Sequence, residues 1–209
     1  SYMSVREIDE SKINDTWLNR HLKYTHGYGA TLSRVDTVTP SGQPSVMIKN
    51  IPPETEKKEL KITRPEVYFG ELSNDYVLVD TKEDEFDYPD GNDNKYTKYE
   101  GSAGIKLNPL NRLIFSIKEG SLKILVSSNI KSNSRIIINR NVVERIRKIM
   151  PYLTYEDDPY AVNINGKLYW MMDAYTTSNM YPYSEPFVGD DVRGNYIRNS
   201  IKVVVDAYN

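Results

Sequence analysis

Hydrophobic and polar positions along the chain change period twice. From Val46 to Asp87, short β-branched runs alternate with turn residues, which predicts strands near 46–49, 66–70 and 76–80. The intervening "ETEKKELK" carries both signs of charge and reads as a solvated loop or short helix. In "LNPLNRLIFSIKEG" the spacing becomes helical, with Leu110, Leu113, Ile114 and Ile117 at i, i+3, i+4 and i+7. Asn108 is placed to cap that helix, Pro109 to open it and Gly120 to stop it. A second amphipathic helix is expected in "NRNVVERIRKIMPYL", with Val142, Ile146, Ile149 and Met150 on one face and Asn141 with Glu144 as a capping box. Arg145, Arg147 and Lys148 suit the negative end of its dipole.

The period then returns to that of strands. Asn165-Gly166 is a strong two-residue hairpin signal. It sets a register pairing Ile164 with Lys167, Val162 with Tyr169 and Tyr160 with Met171 on one face, and Asn163 with Leu168 and Ala161 with Trp170 on the other. Both faces are largely apolar, so the hairpin is expected to be covered on both sides, with Tyr160, Tyr169 and Trp170 in the core. Tyr175, Tyr181 and Tyr183 fall in a turn-rich stretch beyond it and are the candidate ligand surface. "VLVDT", "WMMDAY" and "VVVDAY" form a faint echo of a repeated strand-then-turn unit. The sequence stops just after a strand, so an unpaired edge that invites a homo-oligomer is expected. The fold class is therefore α+β: one domain over residues 1–209, β-rich at 30–100, helical at 105–153 and β-rich again at 158–209.

Charge and composition narrow the partners. With 27 Lys and Arg against 29 Asp and Glu, the net charge of −2 lacks the basic excess that nucleic acid demands. No apolar run reaches the 18 residues of a membrane span, and the N-terminus lacks the apolar stretch of a signal peptide. The absence of cysteine excludes disulfides, thiol catalysis and Cys-ligated metal. Seventeen tyrosines supply amphipathic rings for core and contact surface alike.

Few motifs carry chemistry. His21 and His26 are five apart, about 140° around a helix or on opposite faces of a strand, which argues against one shared metal. "HGYG" is similar to the oxyanion loop of lipase-type hydrolases, but no G-x-S-x-G elbow accompanies it, so glycines beside a buried His26 are the plainer reading. Asp84, Glu85, Asp87, Asp90, Asn92, Asp93 and Asn94 crowd hard oxygen ligands together and make a candidate Ca²⁺ loop, although Lys95 and Gly101 break the EF-hand pattern. "EGSAGIKLNP" places glycines before a helix start, where free N–H groups hold anions, without a Walker pattern.

"TWLNRHLKYTHGYG", "ITRPEVYFGE", "EFDYPDGNDNKYTKYEG", "SRIIINRNVVERIRKIMPYLTYEDDPY", "KLYWMMDAYTTSNMYPYS" and "NYIRNSIKVVVDAYN" together resemble the uncharacterised protein family 0182 of bacterial membrane proteins. The resemblance implies a longer parent, with transmembrane helices followed by a large extracytoplasmic region of which this chain is a soluble part. It implies no reaction. The expected function is a non-catalytic module at the extracytoplasmic face of the cell membrane that binds a cell-envelope ligand or a protein partner; the alternative is an enzyme acting on envelope glycan or lipid.

Overall fold

The computed structural model describes residues 1–189 and 193–209. At its centre the strand Val77–Val79 pairs antiparallel with Arg135–Ile137, whose other edge takes Ile105–Lys106. Val77, Leu78 and Val79 are all buried, as a continuous apolar run on a strand covered on both faces requires. Val77 and Val79 join the larger core with Tyr68, Phe69 and Trp170. Leu78 points the other way, into a smaller core with Leu22, Phe115, Ile124 and Ile136. Pairs of strands and helices around this divider make the α+β architecture that the changing period predicts.

The expected strand near 46–49 lies in Pro44–Ile48, the one near 66–70 shortens to Glu66–Val67, and "ETEKKELK" holds one short helical turn, Lys58–Leu60. The hairpin Tyr160–Ile164 with Lys167–Ser178 has the predicted register, Ile164 opposite Lys167 and Tyr160 opposite Met171. Its burial departs from expectation. Leu168, Trp170, Met172 and Ala174 are buried on one face, whereas the other stays half-open, and Tyr160 is 44% exposed rather than core. Tyr169 is only half-buried. The third strand, Tyr196–Asp206, pairs along Lys167–Ser178, and its outer edge has no strand partner among the described residues. Apolar residues on the open face therefore meet solvent because nothing is layered over them.

Helix α1, Pro109–Lys118, starts and stops as predicted: the Asn108 side chain accepts from the Asn111 N–H, and Gly120 takes a left-handed φ of 62°. Its orientation is the reverse of the prediction. Leu110, Leu113, Ile114 and Ile117 face solvent, while Phe115 and Ser116 turn inward. The cause is polar: the Arg112 guanidinium donates to the carbonyls of Ile124, Leu125 and Ser127, at 3.0, 2.7 and 3.0 Å, and so binds α1 by its polar side to helix α2, Leu122–Val126.

Helix α3, Val142–Ile149, begins at Asn141, whose side chain accepts from the N–H groups of Val143 and Glu144. Val142 and Ile146 are buried, but Ile149 is exposed. Glu144 faces Lys148 at 3.9 Å. The basic residues serve other partners than the last carbonyls: Arg145 lies over the Phe69 ring, Arg147 pairs with Asp157 and Lys148 bonds to Asn139.

The three echoed aspartates do not mark a repeat. Asp80 has a left-handed φ and binds Lys131, Asp173 pairs with Lys202, and Asp206 accepts from the N–H groups of Tyr208 and Asn209 to close a turn.

Candidate functional site

His26 and Thr25 lie at the end of a π-helical turn, Asn19–Lys23, before the short strand Gly27–Tyr28. Gly27 is required there because a Cβ would stand 2.2 Å from the Arg6 carbonyl oxygen, and Gly29 adopts a φ of 80°. Thr25 and His26 are buried, and so is Glu85. Glu85 accepts from Thr25 Oγ1–H, from Tyr68 O–H at 2.8 Å and from the Tyr99 N–H at 3.1 Å. The hydroxyl of Thr25 is thereby free to accept from His26 Nδ1–H at 2.9 Å. His26 Nε2 stands 3.3 Å from Asp87 Oδ1, a contact that asks for a second proton. Burial by itself pulls the imidazole pKa down, but the contact with Asp87 and the Glu85 carboxylate 3.8 Å from Nδ1 outweigh it and raise it above the ordinary value.

The fully buried Arg140 ties this node together. Its guanidinium donates to the carbonyls of Thr25, Tyr68 and Asp75, at 2.6, 2.7 and 3.1 Å, and approaches Glu10 at 3.7 Å. Glu66, near Asp87 and His26, has its Oε2 buried with no hydrogen-bond partner among the described residues, and burial raises its pKa. The plainer reading of "HGYG" is the one seen: the glycines allow close packing and His26 is a hydrogen-bonded core residue.

The candidate Ca²⁺ loop is a β-hairpin, Glu85–Asp90 with Asp93–Thr97, turning at Gly91-Asn92 with Gly91 at φ 63°. Alternation sends its acids to different places. Glu85 goes to the core, Asp87 faces His26, Asp84 pairs with Lys98 at 2.8 Å and Asp90 with Lys95 at 3.2 Å. Asn92, Asp93 and Asn94 are exposed at the tip. Among the described residues no group of three or more His, Asp or Glu is arranged to hold a metal ion. The expected anion-holding N–H groups are taken as well: Asn209 Oδ1 accepts from Ser102 and Ala103, at 2.6 and 2.8 Å.

Of the candidate ligand-surface tyrosines, Tyr175 lies within the strand Lys167–Ser178 rather than beyond it, and its hydroxyl donates to Glu156. Tyr181 is half-exposed and stacks on Tyr196, and Tyr183 is fully exposed with a φ of 58°. The strand runs on past Met172 because Tyr196–Asp206 supplies a partner as far as Ser178.

A better-formed site opens beside His21. Trp17, Arg20 and His21, the pair Asp75 and Tyr76, and Ser121 with Lys123 line a cleft of about 520 Å³. The His21 ring stacks on Tyr76 with centroids 4.0 Å apart and planes within 4°. Its Nδ1–H donates to the Tyr76 carbonyl at 2.7 Å, and the Nε2 lone pair has no partner among the described residues. Burial lowers the His21 pKa and so favours the neutral ring. Trp17 Nε1–H donates to the Tyr76 hydroxyl at 2.9 Å. Arg20 bridges Asp15 and Asp75, at 3.0 and 2.6 Å, and Asp75 is held in turn through its carbonyl by Arg140. The buried node therefore fixes one wall of the open cleft. Sequence reading missed this site; the available signal was Trp17 and His21 at i, i+4 in "TWLNRHLKYT".

Fold and cleft define a mixed α+β domain with a polar, aromatic-floored recess. The chain belongs to the uncharacterised protein family UPF0182, whose sequence model matches residues 1–209. It is 55% identical over 207 residues to a UPF0182 protein of Clostridium botulinum strain Loch Maree, covering 99% of this chain and 23% of that protein. It is 52% identical over 211 residues to one of Alkaliphilus metalliredigens, covering 100% of this chain and 22% of that one. The chain thus spans less than a quarter of the length of these relatives. No solved structure matches it. Among the described residues no helix is long and apolar enough to cross a membrane.

Proposed function

We propose that this chain is a non-catalytic ligand-binding module of a longer bacterial integral membrane protein, standing at the extracytoplasmic face of the cell membrane. Its cleft at Trp17, His21 and Tyr76 holds a hydroxyl-rich glycan fragment of the cell envelope. One observation carries this reading: an aromatic stack and a set of planar hydrogen-bonding side chains, Arg20, Asn74 and Asp75, share one open cleft. Aromatic rings pack against the C–H faces of sugars, and planar carboxylate, amide and guanidinium groups orient the hydroxyls. The lack of cysteine and the near-neutral charge are consistent with that location.

The test is thermal shift of the 209-residue chain against peptidoglycan and polysaccharide fragments. A fragment at a hundred times its Kd adds about 2.7 kcal/mol, or about 5–10 °C for a chain of this size. Trp17→Ala and Lys123→Ala should each weaken a hit about tenfold, and a silent glycan panel refutes the reading. Calcium belongs in the same panel: a rise in melting temperature lost in Asp90→Ala with Asp93→Ala would restore the loop as a cation site.

A second reading, an enzyme acting on envelope glycan or lipid, rests on His21 Nε2, which has no partner among the described residues, beside Asp75 and Glu119. Products detected by mass spectrometry with the wild type and lost in His21→Gln would favour it over simple binding.

A further inference from the structure

The exposed side of α1 and α2 is the feature that the cleft does not use. Leu110, Leu113, Ile114 and Ile117 of α1 and Leu122 and Val126 of α2 are all exposed, with Ile117, Leu122 and Val126 at 74%, 74% and 73%. Singly exposed aliphatic residues are ordinary, but this many on one helix pair form a patch. The inversion is built in. Arg112 directs the polar side of α1 at the carbonyls of α2, and Phe115 anchors the pair in the smaller core, so the aliphatic stripe has only the outside to occupy.

The charge around the patch says what covers it. Lys106, Arg112, Lys118, Lys123 and Lys131 stand against the single acid Glu119 between Ile105 and Lys131, in a chain whose net charge is −2. Lys118 is paired with Glu119 and Lys131 with Asp80, whereas Lys106 and Lys123 are exposed and make no ion pair among the described residues. Aliphatic side chains with the unpaired Lys123 on the same helix pair, and the unpaired Lys106 on the strand that leads into it, are the pattern of an interfacial amphipathic element, whose apolar side enters the acyl boundary while lysines reach phosphate. The core of a protein interface is instead depleted of lysine.

We infer that the α1–α2 pair docks this domain on an anionic lipid surface, with Leu110, Ile117, Leu122 and Val126 inserted and Lys106 and Lys123 on the headgroups. This goes beyond the glycan reading and stands independently of it. The test is co-sedimentation of the 209-residue chain with vesicles of phosphatidylcholine alone and with about 30% phosphatidylglycerol. Binding to the anionic vesicles is expected, weakening as salt rises from about 0.1 M to about 1 M and the Debye length falls from about 10 Å to about 3 Å. Ile117→Asp with Val126→Asp should cut binding at least tenfold, and Lys106→Gln severalfold, with circular dichroism and melting unchanged. No sedimentation with either vesicle overturns the proposal, as does unchanged binding of the double variant. A dimer in light scattering that the same double variant dissociates, without vesicle binding, would also overturn it and assign the patch to a second copy of the chain.

Discussion

Asp84 and Glu85 are neighbours in sequence and opposites in energy. Asp84 holds an exposed pair with Lys98, worth at most about 1 kcal/mol, so Asp84→Ala should leave stability within about 0.5 kcal/mol. Glu85 satisfies three buried donors, and Glu85→Ala strands all three. A loss of about 3–5 kcal/mol is expected, read as a fall of about 10 °C in melting temperature; a loss as small as that of Asp84→Ala would show that the node is dispensable. His26 adds a pH dependence. Its folded pKa is raised above the unfolded value of about 6.5, so its stabilisation is complete below that value and fades as pH rises through the folded pKa. Urea melts from about pH 6 to pH 9 should show this decline, and His26→Gln should flatten it while lowering the baseline.

At the scale of the element, α1 shows that an amphipathic stripe defines a face without saying which way it points. The caps at Asn108 and Gly120 are local and form as the sequence specifies. Orientation depends on what the rest of the chain offers, and here three carbonyls at α2 and Ser127 capture Arg112. Phe115→Ala should therefore cost about 3–5 kcal/mol, while Ile117→Gln should change stability by less than about 0.5 kcal/mol. Chemical denaturation of the two variants decides it. A large loss on Ile117→Gln would mean that this stripe is covered.

Across the whole molecule, the cleft draws on residues near positions 15–21, 74–76 and 119–123, which meet only because the strand Val77–Val79 lies between the two cores. Lys123 belongs both to the cleft rim and to the basic surroundings of the aliphatic patch, so its substitution bears on glycan and lipid binding alike; Trp17→Ala and Lys106→Gln separate the two. Residues 207–209 tie into the larger core: the Ala207 carbonyl accepts from Tyr68 and Phe69, and Asn209 Oδ1 accepts from Ser102 and Ala103.

What the sequence by itself determined was local. The Asn165-Gly166 turn set a five-pair register, Asn108 and Asn141 set helix starts, and the change of period gave the α+β class, because turns, caps and side-chain alternation depend on neighbours a few residues away. The motif residues also pointed to the family to which the chain belongs. Tertiary structure alone decided which apolar faces are covered, which of seven clustered oxygen ligands turns inward, and which distant side chains meet. Burial is a property of the partner surface, and Tyr160, Ile117 and Glu85 carry no local mark of whether one exists. The His21 cleft was hidden for the same reason: its walls are separated by more than forty residues of chain, and only packing brings Tyr76 under His21.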